Sequence, residues 1–158
     1  MDTPMHPVNQ VGYLLEHLSG MSGRQSDQVL QEQLGIGLSQ YKIMRALQWH
    51  PKVQQRKLAQ SLGQTEASVS RQIKLLHERG MLVTEVNAAE RRAHLTRITP
   101  KGLKVAEAAR QVLVQYHSPM FGTLSDKEMK QLLETLKKLH NFVCQPAKAH
   151  SCDHPLGI

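Results

Sequence analysis

Cysteine is scarce in this 158-residue chain, and its two copies, Cys144 and Cys152, both fall near the C-terminus. They cannot staple a core, so the fold is expected to form without an oxidising compartment, with free thiols as the default. Long apolar runs are missing too. Nowhere do about 18 apolar residues follow one another, and the opening MDTPMHPVNQ lacks the apolar stretch of a secretory signal. The expectation is a soluble, cytoplasmic chain with no membrane partner. Catalytic signatures are also absent: there is no Gly-rich phosphate loop, no Gly-x-Ser-x-Gly and no metalloprotease motif, so an enzyme is not expected, and no cofactor is implied. His6, His17, His50, His77, His94, His117 and His140 include no pair at i, i+4 spacing, which argues against a histidine-only zinc site.

Acidic residues run short in one particular stretch. Residues 52–104 hold eleven Lys and Arg against only Glu66, Glu78, Glu85 and Glu90, an excess of +7 that equals the net charge of the whole chain. The remainder is neutral. Clustered cations favour a polyanion, because neutralising neighbouring phosphates releases their condensed counterions. Nucleic acid is therefore the leading partner, and a chain of this length with 40% hydrophobic residues can build one core unaided.

The apolar period is mostly helical. Val8, Val11, Leu14, Leu15 and Leu18, then Val29, Leu30 and Leu34, predict one long N-terminal helix, with a potential kink at Gly20 to Gly23. A second helix is expected from Leu38-Ser39, capped by Ser39 and stopped near His50 by Pro51. A third spans about Gln54 to Ser61 before Gly63, and a fourth runs from its cap Thr65 to Arg79, where Gly80 stops it. Beyond Gly80 the period drops to two. Leu82 to Val86 and His94 to Ile98 read as paired strands around a long charged loop that should project. Thr99-Pro100 restarts helix to about Tyr116, a break follows at Ser118-Pro119 and Gly122, and Ser125 caps a last helix striped with Met129, Leu132, Leu133, Leu136, Leu139 and Val143.

Helices three and four have helix-turn-helix spacing. Small Ala59 suits the helix crossing, Gly63 the turn, and Val69 the packing of the second helix on the first. The solvent side of that second helix carries Thr65, Ser68, Ser70, Arg71 and Lys74, short hydroxyls followed by cations, which suits the major groove of DNA. An ordinary helical hairpin would have no use for that set.

The run Leu38 to Gly102 resembles the winged helix-turn-helix of the MarR family of bacterial transcriptional regulators. The residues that carry the resemblance are Val69-Ser70-Arg71, Leu76 to Gly80, and the wing signature Glu90-x-Arg92 with Ile98-Thr99-x-x-Gly102. The resemblance implies a homodimer with intertwined first and last helices, a recognition helix in the major groove, a wing arginine in the minor groove, and a ligand crevice between the dimer and DNA-binding parts. Three positions depart from the family pattern. Glu90 stands where Asp is usual, Gln54 where a capping hydroxyl is expected, and Leu75 where a polar residue is usual.

The expected fold is mainly α, a winged helix-turn-helix with a two-stranded β-wing and dimerisation helices at both ends. The boundaries are 1–36 for the N-terminal dimerisation helix, 37–104 for the DNA-binding module, 105–144 for the C-terminal dimerisation helices and 145–158 for a flexible tail. The expected function is a homodimeric regulator, a repressor on a pseudo-palindromic operator in double-stranded DNA, released by a small-molecule effector. Arg71, Ser70, Ser68, Lys74 and Thr65 would serve the major groove, and Arg92 with Arg91 the minor groove. Tyr13, His17, Met44, Trp49 and Tyr116 are candidate lining for an effector crevice, although residues of these types at helical spacing also build cores. An RNA-binding winged helix fits the charge but not the long flanking helices. A thiol- or metal-responsive sensor is the other alternative, with Cys144, His150, Cys152 and His154 as its candidates. Cys144 is separated by five residues from a His-x-Cys-x-His run instead of pairing as Cys-x2-Cys, so no metal site is assigned.

Overall fold

The longest helix of the protein begins with a residue that cannot donate. In the computed structural model, which describes residues 6–51, 53–86 and 94–143, helix α1 (Pro7–Leu34) opens on Pro7, where a missing N–H is harmless, and His6 accepts the Val8 N–H. The helix runs unbroken through Gly20 and Gly23 and spans about 42 Å at 1.5 Å per residue. Only its C-terminal third is buried, through Ser26, Val29 and Leu30; residues 6–20 are all exposed.

Helix α2 (Leu38–Trp49) follows a short turn and is capped from an unexpected place. Ser39 lies inside the helix rather than at its cap. Gly37 holds the cap position, the Gln40 side chain turns back to accept the Gly37 N–H at 3.2 Å, and Asp27 of α1 accepts the Leu38 N–H at 2.7 Å. A carboxylate from a neighbouring helix thus supplies the acceptor that Ser39 was expected to provide. Strand β1 (Val53–Gln54) leads directly into helix α3 (Gln55–Leu62), then helix α4 (Glu66–Glu78), and strands β2 (Leu82–Val86) and β3 (His94–Ile98). The sheet is antiparallel in the order β1-β3-β2, with Val53 opposite Thr96 and Leu82 opposite Ile98. The wing therefore has a third strand beyond the two expected. Two residues are too few to show a period-two pattern.

Helix α5 (Pro100–Phe121) starts as expected, with Thr99 Oγ1 accepting the Gly102 N–H at 3.1 Å, but it does not stop at Tyr116. It passes through Pro119 to Phe121. The proline lies in the last turn, where it removes one intrahelical bond only, and the Ser118 hydroxyl donates to the Val114 carbonyl at 2.7 Å. Helix α6 (Asp126–Val143) begins with a reciprocal cap: the Ser125 N–H and hydroxyl donate to the Glu128 carboxylate at 2.9 and 2.6 Å. These bonds hold the Glu128 carboxyl below its usual range.

One core joins these parts. Leu30 and Ile36, Ile43, Met44 and Leu47 of α2, Leu58, Val69, Leu76 and Leu82 are fully buried, with Ala106 and Ala109 bringing α5 against them. The tightest contact lies where α5 meets the wing. A Cβ on Gly102 would overlap the Met81 carbonyl oxygen and stand 2.7 Å from Ile98 Cγ1. Gly102→Ala should therefore destabilise the fold by about 1–3 kcal/mol, since backbone cannot yield as a side chain can. Thermal unfolding checks this; an unchanged Tm would refute the close approach.

Candidate nucleic-acid interface

The helix-turn-helix is built from three buried positions and one positive φ. Leu58 and Ala59 of α3 are 1% exposed, Val69 of α4 is 0%, and between them Gly63 takes φ +62°, which an L side chain would strain. Thr65 then caps α4. Its Oγ1 accepts the Ser68 N–H at 3.2 Å, so the hydroxyl is occupied by its own helix. An exposed pair, Arg56 with Glu66 at 3.7 Å, links α3 to the first residue of α4 and contributes well under about 1 kcal/mol.

With Val69, Ile73 and Leu76 turned inward, α4 leaves Ala67, Ser70, Arg71, Lys74, Leu75 and Glu78 exposed. Ser70, Arg71 and Lys74 stand on the open side as their spacing predicted. Ser68 is half-buried, at the edge of that face. Leu75, 41% exposed, rests on no core neighbour. Ala67 is an exposed first-turn position that reading by polar side chains passed over; a count of helical phase would have found it.

The comparisons with known proteins converge on one family. Residues 34–93 match the sequence model of the MarR family. The transcriptional regulator HosA of Escherichia coli O127:H6 (strain E2348/69 / EPEC) is 28% identical over 102 residues, covering 65% of this chain and 76% of HosA. Wild-type apo MarR of E. coli superposes with a TM-score of 0.76 at 21% identity, over 87% of this chain and 98% of that one. CouR from Rhodococcus jostii RHA1, solved with p-coumaroyl-CoA bound, gives 0.70 at 22% identity over 92% and 99%. Over residues 34–93 the sequence is similar to the MarR family, and the chain has the winged-helix fold of the solved MarR-family structures.

Helix α4 is tied to both of its flanks. At its C-terminal end, Gly80 takes φ +71° and the Arg79 guanidinium donates to the Gly35 carbonyl at the end of α1 at 2.7 Å. Lys101 of α5 donates to the Arg79 carbonyl at 2.7 Å. At its N-terminal end, the Ser39 hydroxyl of α2 donates to Gln64 Oε1 at 2.9 Å. The wing residues Arg91 and Arg92, with Glu90, lie outside the described residues, as do Cys144, His150, Cys152 and His154.

The five candidate crevice residues fall in separate neighbourhoods of the protomer. Tyr13 stacks on His17, ring centres 5.7 Å apart, on the exposed half of α1. Met44 is 0% exposed and belongs to the core. Trp49 lies at the end of α2 with the Arg45 guanidinium 6.0 Å over its ring, and Tyr116 meets His117 edge-on beside Ser26 of α1. An open pocket of about 400 Å³ lies elsewhere, lined by Gly23, Arg24 and Asp27 of α1, Leu38, Ser39 and Lys42 of α2, and Gln64. Sequence reasoning did not single out this set, because its members come from three separate segments, 23–27, 38–42 and residue 64, that share no motif. No helix among the described residues is long and apolar enough to cross a membrane.

Because Thr65 spends its hydroxyl on the cap, Thr65→Ala should lower stability by about 1 kcal/mol, and Thr65→Ser should restore it. Denaturant titration of both variants checks this. Equal stability of wild type and Thr65→Ala would remove the capping role.

Proposed function

We propose that the protein acts as a homodimeric repressor on a pseudo-palindromic operator and leaves it when a small anionic effector binds. The observation that carries the dimer is the uncovered apolar surface of the terminal helices. On α1, Val8, Val11, Leu14, Leu15 and Leu18 are exposed, and on α6, Leu132, Leu133, Leu136, Leu139 and Phe142; no residue of α6 is buried. Contiguous apolar stripes on this scale belong to interfaces. Residues 1–36 and 105–144 then serve as the dimerisation helices, and 37–104 as the DNA-reading module.

In this reading two α4 helices enter successive major grooves about one helical turn, ~10 bp, apart, with Arg71, Ser70 and Lys74 toward the DNA. Arg92 and Arg91 are assigned to the minor groove on the family resemblance. Occupying the operator blocks promoter access. CouR was solved with an acyl-CoA, and the pocket bearing Arg24 and Lys42 has the charge for a smaller acid. Tyr13, His17, Trp49 and Tyr116 would line an effector site only through a partner protomer. An effector needs to favour the wrong half-site spacing by about 1–3 kcal/mol to loosen DNA binding 5- to 150-fold.

Two experiments test these assignments. Binding to a selected operator should weaken steeply with salt, Lys74→Ala should reduce the logarithmic salt slope by about 1, and Arg71→Ala should also relax base preference. Affinity that is equal at 50 and ~200 mM salt would contradict the cationic interface. Leu136→Asp should give a monomer in sedimentation whose operator affinity falls at least about 100-fold, through loss of the second tethered half-site. A folded monomer that binds as tightly as wild type would end the dimer assignment.

A further inference from the structure

Helical phase shows which residues of α4 lie along the middle of its outward face. At about 100° per residue, buried Val69, Ile73 and Leu76 define an inward direction, and its opposite runs along Ala67, Arg71 and Glu78, from the first turn to the last. All three are exposed. Ser68 lies about 70° away from that direction, is half-buried, and its N–H is held by Thr65. Of the residues directed outward, Ala67 alone sits in the first turn, the part of a recognition helix that reaches base edges.

The side chain at this central position is one methyl group, with nothing to donate or accept. In the major groove, N7, O6, O4 and the exocyclic amines would each lose water against it without gaining a hydrogen bond. The C5-methyl of thymine is the base feature that gains. A short side chain here also brings the helix backbone close to the base edges, while Arg71, one turn further on, is long enough to reach a guanine or a phosphate from the same approach. We propose that Ala67 is a specificity-determining residue that reads a thymine C5-methyl in each half-site, beside the position contacted by Arg71. This rests on α4 being the DNA-reading helix.

The test uses the full-length protein and a duplex carrying half-sites selected from a random pool, with each thymine replaced in turn by deoxyuridine. At one position per half-site, wild type should bind the uridine duplex about fourfold more weakly, the worth of one methyl removed from water. Ala67→Gly should bind the thymine duplex about fourfold more weakly and not distinguish it from the uridine duplex at that position. Ala67→Ser, which keeps the Cβ and guards against loosening of the helix by glycine, should shrink the thymine preference while unfolding at the wild-type temperature. Uridine substitution without effect at every position, or one uridine penalty shared by wild type and both variants, overturns the proposal. A protein that fails to bind any selected duplex overturns the DNA-reading role of α4, and this inference with it.

Discussion

The missing side chain at Gly102 sets where the wing stands relative to helix α4. Because nothing projects there, the first turn of α5 lies directly on the Met81 carbonyl. Thr99 sits at the same junction. Its N–H donates to the Met81 carbonyl at 3.0 Å, and its hydroxyl donates to the Gly80 carbonyl at 2.8 Å while accepting the Gly102 N–H. The stop of α4, the start of β2, the end of β3 and the start of α5 thus converge on four residues, Gly80, Met81, Thr99 and Gly102. A shift of α5 must carry both the wing and the end of α4. A long helix can then act as a lever on the DNA-reading parts, because packed backbone does not deform continuously.

The links that join α1, α2 and the two ends of α4 are of another kind. Asp27 to Leu38, Arg79 to Gly35 and Ser39 to Gln64 are hydrogen bonds at or near the surface. Each contributes on the order of 1 kcal/mol net, the charged ones more. Their sum is comparable with the 1–3 kcal/mol typical of coupling between two sites. The hydrophobic core beneath them holds far more. The orientation of the recognition helix relative to α1 can therefore be biased by changing a few polar contacts while Leu30, Met44 and Val69 stay packed. Asp27, Ser39 and Gln64 belong both to these links and to the open pocket, so a ligand there would compete for the bonds that hold α1, α2 and the turn before α4 together.

Most of the scaffold was legible in the sequence, because local chemistry and tertiary packing agreed. Thr65, Thr99 and Ser125 cap the helices they precede, and Gly63 and Gly80 adopt positive φ where a stop was expected. The misses have a common cause. Ser39 lost its cap role to Asp27, twelve positions earlier, and β1 exists only because β3 offers it an edge. Pro119 stays within the helix in its last turn, where only two further helical residues follow it. In each case a partner distant in sequence, or the distance to a terminus, decides between states that a local window cannot separate. The exposure of Ser70, Arg71 and Lys74 on α4 was legible from their spacing, whereas that of Ala67 beside half-buried Ser68 needed the phase of the helix.

The two exposed surfaces of the molecule also respond to different variables. On α4 the cations Arg71 and Lys74 stand out, and their attraction to phosphate weakens as salt displaces the reason for counterion release. On α1 and α6 the exposed groups are Leu, Val and Phe, whose tendency to leave water is strengthened by many salts, not screened by them. Raising ionic strength therefore weakens attraction at the cations of α4 without weakening the tendency of the apolar stripes to leave water. The whole net charge lies in residues 52–104 and the rest sums to zero, so these two surfaces differ in composition before any fold is formed. Mixing them would have cost one or the other: cations within the apolar stripes would lose hydration when covered, and apolar side chains spread over the reading face would lose contacts to phosphate.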